Sequence, residues 1–133
     1  FYDDPSVYFV SIHQHPLYPG TGYEHERGAE GTNLNVPMVS GSGPVEWLDA
    51  IKTQVLPELE RFGPEVLLMS AGFDAHRLDP LAQQRLESVT FGEITRQLLS
   101  LEVPAVVSVL EGGYNLDALG ESTVAHVKAL QDA

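Results

Sequence analysis

The sequence predicts an α/β fold, a parallel sheet with helical crossovers, on three observations. Three short apolar, β-branched runs, at 7–13, 66–70 and 104–110, read as buried strands. Segments with apolar residues at spacings of three and four alternate with them, as amphipathic helices do. Each run then ends in a polar or glycine-rich cluster: His13-Gln14-His15, Phe73-Asp74-Ala75-His76 and Glu111-Gly112-Gly113-Tyr114. In a parallel sheet those ends share one edge, where open α/β sheets bind their ligands. One crevice there can gather imidazole, carboxylate and phenol from distant positions.

The elements follow in order. After the first strand, residues 14–31 are rich in Pro, Gly, Tyr, Glu and His and read as a long loop, a feature that in compact domains usually carries function. Leu34-Asn35-Val36-Pro37 predicts a short strand limited by its proline. Ser42-Gly43-Pro44 marks a helix start, and Leu48, Ile51, Val55, Leu59 and Phe62 form its apolar face. Pro57 within that pattern is expected to kink or divide the helix, and Gly63-Pro64 to end it. Thr90-Phe91-Gly92-Glu93 matches a capping box, predicting a helix that turns Ile94, Leu98 and Leu101 inward. Val124, Val127 and Leu130 predict an amphipathic C-terminal helix. There is no internal repeat, low-complexity segment or linker, so 1–133 reads as one domain or part of one. Phe1 in place of Met, and a strand entered almost at once, point to a piece of a longer protein.

Composition narrows the function classes. Across 133 residues the net charge is −12, with a pI near 4.5. That argues against direct nucleic-acid binding, which needs a basic footprint. It suits a solvated acidic surface or the steering of cationic partners. No apolar run approaches membrane-spanning length. With no cysteine, disulfides and thiolate metal sites are excluded, and any metal is held by carboxylate, imidazole or backbone oxygen. A cytoplasmic location is consistent with this.

Several residues at the predicted strand ends carry chemistry. Asp74 reads either as a turn residue accepting backbone hydrogen bonds or as a ligand giving a metal one oxygen. His13 and His15, two apart on a strand, face one side; that spacing suits a metal, although strand-end histidines more often make a hydrogen bond. His76 lies in the Asp74 turn, where it can orient a neighbour. His25 lies in the polar loop, and His126 is expected on the surface of the last helix. Tyr114 follows two glycines that allow close backbone approach; its phenol either donates to an oxyanion or packs at the core edge. Leu17 and Tyr18, before Pro19-Gly20-Thr21-Gly22, either line an apolar slot or cover the core.

Together these motifs resemble the histone deacetylase superfamily, which includes the bacterial acetylpolyamine amidohydrolases and acetoin-utilisation proteins. The resemblance rests on Ser70-Ala-Gly-Phe-Asp74-Ala-His-Arg-Leu-Asp79-Pro-Leu81, Glu111-Gly-Gly-Tyr114-Asn115, Pro16-Leu-Tyr-Pro-Gly-Thr-Gly22, Ser11-Ile12-His13-Gln14 and Leu34-Asn35-Val36-Pro37. It spans essentially the whole chain and looks most like the bacterial members related to class II deacetylases.

The resemblance implies an arginase/deacetylase-like fold, three layers with a parallel sheet flanked by helices, here incomplete. It implies hydrolysis of an N-acetyl amide of acetylated lysine or acetylated polyamine, in which zinc polarises the carbonyl and activates water, a histidine is the general base and a tyrosine completes the oxyanion site. Carried onto this chain, Asp74 is a zinc ligand and Tyr114 the carbonyl-polarising phenol. Tyr18 forms one wall of the acyl-stem tunnel, Leu81 lines its rim, and Gly112 faces substrate near its floor. Ser11 and the backbone of Ile12 help hold a structural potassium ion (K+). The family's Asp-x-His zinc-ligand motif and its tandem histidines would lie before residue 1, and the chain contains no His-His pair. The resemblance therefore predicts that 1–133 is the C-terminal part of a single deacetylase domain, inactive alone. The rival reading is a non-catalytic binding protein that keeps this fold.

Overall fold

The computed structural model describes residues 1–132 and bears out the α/β class. Strand β1 (Phe9–Gln14) pairs in parallel with β2 (Asn33–Met38), with Phe9 opposite Asn33 and Gln14 opposite Met38. Strand β3 (Val66–Ala71) pairs in parallel with β4 (Ala105–Leu110), with Val66 opposite Ala105 and Ala71 opposite Leu110. Among the described residues no ladder joins the two pairs. The expected single edge is therefore two edges, tied by a side chain. Gln14, the last residue of β1, accepts the Gln83 N–H at 2.8 Å and the Gln84 amide at 3.3 Å through Oε1. Pro37 lies inside β2, opposite His13, and does not end it.

The loop after β1 is pinned from β2. Buried Asn33 donates to the Glu26 carbonyl, and Asn35 donates to the Tyr23 carbonyl at 3.1 Å. The Glu26 carboxylate in turn accepts the N–H groups of Gly22 and Tyr23 at 2.8 and 3.0 Å. A short 3-10 turn (Ala29–Gly31) leads into β2.

The helix after β2 starts where expected. α1 (Pro44–Ala50) has Gly43 at its N-cap and Pro44 at its first position, and Glu46 reaches back to the Gly43 N–H at 2.8 Å. The chain then widens into one π-helical stretch (Ile51–Val55) before α2 (Leu56–Phe62), which holds Pro57 in its first turn. Proline lacks a donor and crowds the preceding turn. The wide stretch absorbs both, so the helix is divided without being broken. Gly63 ends it in a left-handed conformation, φ 67°, and donates to the Leu59 carbonyl. This composite helix turns Trp47, Ala50, Ile51, Val55 and Leu59 into a core with Leu34, Val36 and Met38 of β2 and with Phe73, Ala75, Leu86 and Phe91.

Two helix expectations need correction. α3 (Ser88–Leu99) begins two residues before Thr90, with Glu87 as its N-cap. Thr90 is fully buried inside the first turns, so the apparent capping box is packing. α4 (Leu116–Gln131) forms, but its buried face is Ala118, Ser122, His126 and Ala129, while Val124 and Val127 are exposed. α3 and α4 pack closely, with the Gly92 Cα near the Ala125 backbone; a Cβ on Gly92 would lie 3.0 Å from the Ala125 carbonyl oxygen. Small residues let helix backbones approach, so the contact runs along these positions and not along the valines.

The strands β3 and β4 are not buried on both faces. Val66, Leu68, Val107 and Val109 are exposed, Leu68 at 72%, whereas Met69 on the other face is buried. The alternation is that of strands covered on one face. No helix among the described residues is long and apolar enough to cross a membrane.

Candidate active site at the strand tips

The β3–β4 ladder delivers Asp74 and Gly112 side by side. Beyond the last paired residues, Glu111 donates to the Ala71 carbonyl at 3.0 Å and Phe73 to the Gly112 carbonyl at 2.8 Å. The chain after each strand is thus held against its neighbour for two more residues. A Cβ on Gly112 would lie 3.1 Å from both Cγ and Oδ2 of Asp74, and one on Gly72 3.3 Å from Oδ1. The two glycines form a cradle around the carboxylate that a methyl group would crowd.

Burial raises the Asp74 carboxyl above its ordinary value; its own backbone N–H opposes this, and the negative charge of Asp79 adds to it. A half-buried carboxylate in such a cradle suits one oxygen ligand of a cation. Among the described residues no group of three or more His, Asp or Glu is placed to hold a metal. Zn2+ takes four ligands, so the residues here fit one corner of a zinc site and do not complete it.

Tyr114 stands two residues past the cradle, 56% exposed. Gly113 takes φ 134° there, with Phe73 and Leu119 so close that a Cβ would lie 3.2 and 3.0 Å from them. Asn115 then caps α4, its side chain accepting the Ala118 N–H at 3.0 Å. The phenol is therefore not packed at the core edge; it projects from a short bridge between ladder and helix. Leu81 (58% exposed) and Tyr18 (96% exposed) are also solvent-facing. Leu81 belongs to the segment that Gln14 holds through Gln83, and Tyr18 lies four residues past Gln14 in the β1 loop. Asp74, Gly112 and Tyr114 are thus brought together by the ladder. Leu81 is tied to the same rim by hydrogen bonds, and Tyr18 is exposed on the adjoining loop.

The histidines resolve differently. His13 Nε2 donates to the Gly22 carbonyl at 3.0 Å, so Nδ1 accepts the Ser11 hydroxyl at 2.8 Å. This is the hydrogen-bonding role, and it leaves the Ser11 oxygen lone pairs free. Ser11 and Ile12 are partly buried in β1, opposite Asn35 and Val36. His15 packs edge-on against Tyr23, which stacks on His25. His76 is buried against Phe91, accepting the Leu78 N–H at 3.1 Å through Nδ1.

His126 is not on the surface. It is 7% exposed, with Nδ1 2.7 Å from the Thr95 hydroxyl and Nε2 2.8 Å from the Ser108 hydroxyl. Burial lowers its pKa below the usual imidazole value. The one partner of the site that motif reading left without a role is Asp79, whose Asp-Pro context resembles an ordinary turn. A groove of about 940 Å3 lies elsewhere, between α3 and α4, and contains none of these residues.

The geometry defines a class: a parallel α/β domain in which a cradled acidic tip and a Gly-Gly-Tyr bridge meet at the carboxyl ends of two strands. Residues 1–130 match the histone deacetylase domain, and the chain belongs to the histone deacetylase family. It is 41% identical to histone deacetylase 10, chloroplastic, of Oryza sativa subsp. japonica, over 92% of this chain and 29% of that protein. Its fold superposes on the crystal structure of the HDA15 HD domain with a TM-score of 0.91 at 36% identity, covering 98% of this chain and 38% of that one. It superposes on acetylpolyamine aminohydrolase from Burkholderia pseudomallei with a TM-score of 0.89 at 36% identity, covering 97% and 39%. The chain thus spans about a third of the length of these relatives, and similarity to plant and bacterial proteins is comparable.

Proposed function

We propose that this chain forms part of a zinc-dependent deacetylase that hydrolyses N-acetyl amides of acetylated lysine or acetylated polyamine. The observation that carries the reading is the Gly112–Asp74 contact, which sets a desolvated carboxylate beside the bridge bearing Tyr114. Asp74 gives zinc one ligand, and the remaining ligands and the general base come from outside these residues. Bound zinc would supply Lewis-acid polarisation of the amide carbonyl and an activated water. The chain's own part is to hold that carboxylate and to aim the Tyr114 phenol, whose O–H donates to the developing oxyanion. Leu81 and Tyr18 line the approach for an acylated stem, Gly112 leaves room at its floor, and Ser11 with the Ile12 backbone contributes oxygens to a potassium site. The net charge of −12 favours cationic substrates.

The test is acetyl-lysine and acetylpolyamine hydrolysis by the full-length protein, with zinc measured by elemental analysis. We expect stoichiometric zinc and turnover that Tyr114→Phe reduces by at least ~10²-fold, the usual worth of one oxyanion donor. Wild-type turnover by Tyr114→Phe would remove it from the mechanism. For 1–133 taken alone, with no metal-holding group among the described residues, no turnover is expected.

A further inference from the structure

Asp79 is 8% exposed, and its carboxylate is shared between two loops. Oδ1 accepts the N–H groups of Leu81 at 2.9 Å and Ala82 at 3.3 Å, the pattern of an ordinary Asx turn. Oδ2 does something a turn does not require: it accepts the backbone N–H of Tyr114 at 2.9 Å, thirty-five residues away. Among the described residues Tyr114 is otherwise held only through its chain neighbours. Upstream, the ladder ends with the Phe73–Gly112 bond and Gly113 swings out at φ 134°. Downstream, Asn115 starts α4. The Asp79 carboxylate is therefore the direct anchor of the residue whose phenol faces solvent at the rim.

We infer that Asp79 is a positioning residue that fixes the backbone of Tyr114 and couples it to the loop carrying Leu81. This rests on the role given to Tyr114 above. The chemistry demands a carboxylate. Hydrogen bonds to an ionised acceptor are short and strong, and only a carboxylate presents two acceptor oxygens in this plane. Asparagine has the same shape but one oxygen and one NH2 group. Whichever way an asparagine turns, a donor faces either the Leu81–Ala82 amides or the Tyr114 amide. The turn offers two amides and Tyr114 one, so the single oxygen stays with the turn and the Tyr114 bridge is released.

The test uses the full-length enzyme and the variants Asp79→Asn, Tyr114→Phe and the double variant. We expect Asp79→Asn to lower kcat on the order of 10²-fold, the cost of misplacing a reacting group by about 1 Å. KM is expected to change less than about two-fold and zinc content not at all. In the Tyr114→Phe background Asp79→Asn should cost little more, because both act through one phenol. If Tyr114→Phe is slow while Asp79→Asn keeps wild-type kcat, or if the two losses multiply, the inference is overturned and the reading of Tyr114 stands. If Tyr114→Phe itself turns over normally, it is the functional reading that fails. Wild-type protein gives an independent check should Asp79→Asn not fold: the Tyr114 amide should be protected from hydrogen exchange and shifted downfield by the carboxylate. A freely exchanging Tyr114 amide would sink the anchor outright.

Discussion

The Ser108 hydroxyl of β4 donates to Nε2 of His126 on α4 at 2.8 Å, inside the helix–sheet interface. The direction follows from the far side of the ring. Thr95 spends its hydroxyl proton on the Phe91 carbonyl at 2.7 Å, so it accepts from Nδ1–H, and Nε2 is left as the acceptor. One neutral imidazole thus stitches α3, α4 and β4.

A pH dependence follows. His126 has a folded pKa below the unfolded value of about 6.5, so the unfolded state binds more protons as pH falls through that range. The stabilisation is complete above about pH 6.5 and is lost as pH falls towards the lowered folded value. Urea unfolding at pH 7.5 and 5.5 should show the wild type losing stability at the lower pH and His126→Gln losing less. Equal losses in both would remove His126 as the titrating group. His76, also lowered by burial, contributes equally to both proteins and cancels.

Gly112→Ala should act on Asp74. A methyl 3.1 Å from the Asp74 Cγ and Oδ2 forces the carboxylate to move. For the zinc site proposed above, affinity of the full-length protein measured by chelator competition is expected to fall ~10–100-fold, the usual effect of displacing what orients a ligand. Global stability should change little, since the carboxylate can give way toward solvent.

Trp47→Phe should cost about 1–3 kcal/mol. The buried indole N–H donates to Gln84 Oε1 at 2.7 Å, and phenylalanine leaves that oxygen without its partner. Gln84 also donates to the Val39 carbonyl at 2.9 Å and so cannot simply turn away. The urea midpoint should fall with an unchanged m-value. A paired Gln84→Met change should recover part of the loss.

The bare face of β3–β4 predicts self-association of this chain on its own. Val66, Leu68, Val107 and Val109 present an apolar surface larger than scattered single residues. Sedimentation velocity should show oligomers that Leu68→Lys reduces. Because Leu68 is solvent-exposed, that change is expected to leave the unfolding midpoint within about 0.5 kcal/mol.

Much of this was legible in the residues. The three apolar runs, the proline-started helix and the Gly63 stop are local signals, and each forms where its chemistry demands. That Asp74 and Tyr114 lie at strand tips was legible because each follows an apolar run that ends in glycine. What failed was tertiary. His126 reads as polar and hence exposed, but two hydroxyls from α3 and β4 satisfy both ring nitrogens. Val124 and Val127 read as a core stripe, but Gly92 lets α3 approach α4 along Ala125 instead. The second oxygen of Asp79 was invisible for the same reason: its partner lies in another loop, and only the first oxygen makes a local turn.

The widened turn at Ile51–Val55 sets the phase between the two halves of the composite helix. Each residue advances an α-helix by roughly 100°, and Trp47 and Leu59, on either side of the wide turn, face the same core. Over the twelve residues from Trp47 to Leu59 a regular helix would overshoot that face by about 120°, so the wide turn takes up one extra residue. Deleting a residue there would leave Leu59 facing the core but carry Pro57 into a regular turn that has no room for it. A one-residue insertion would instead turn Leu59 off the core, so in a mutational library this segment should reject insertions as firmly as it rejects polar substitutions at buried Ile51 and Val55.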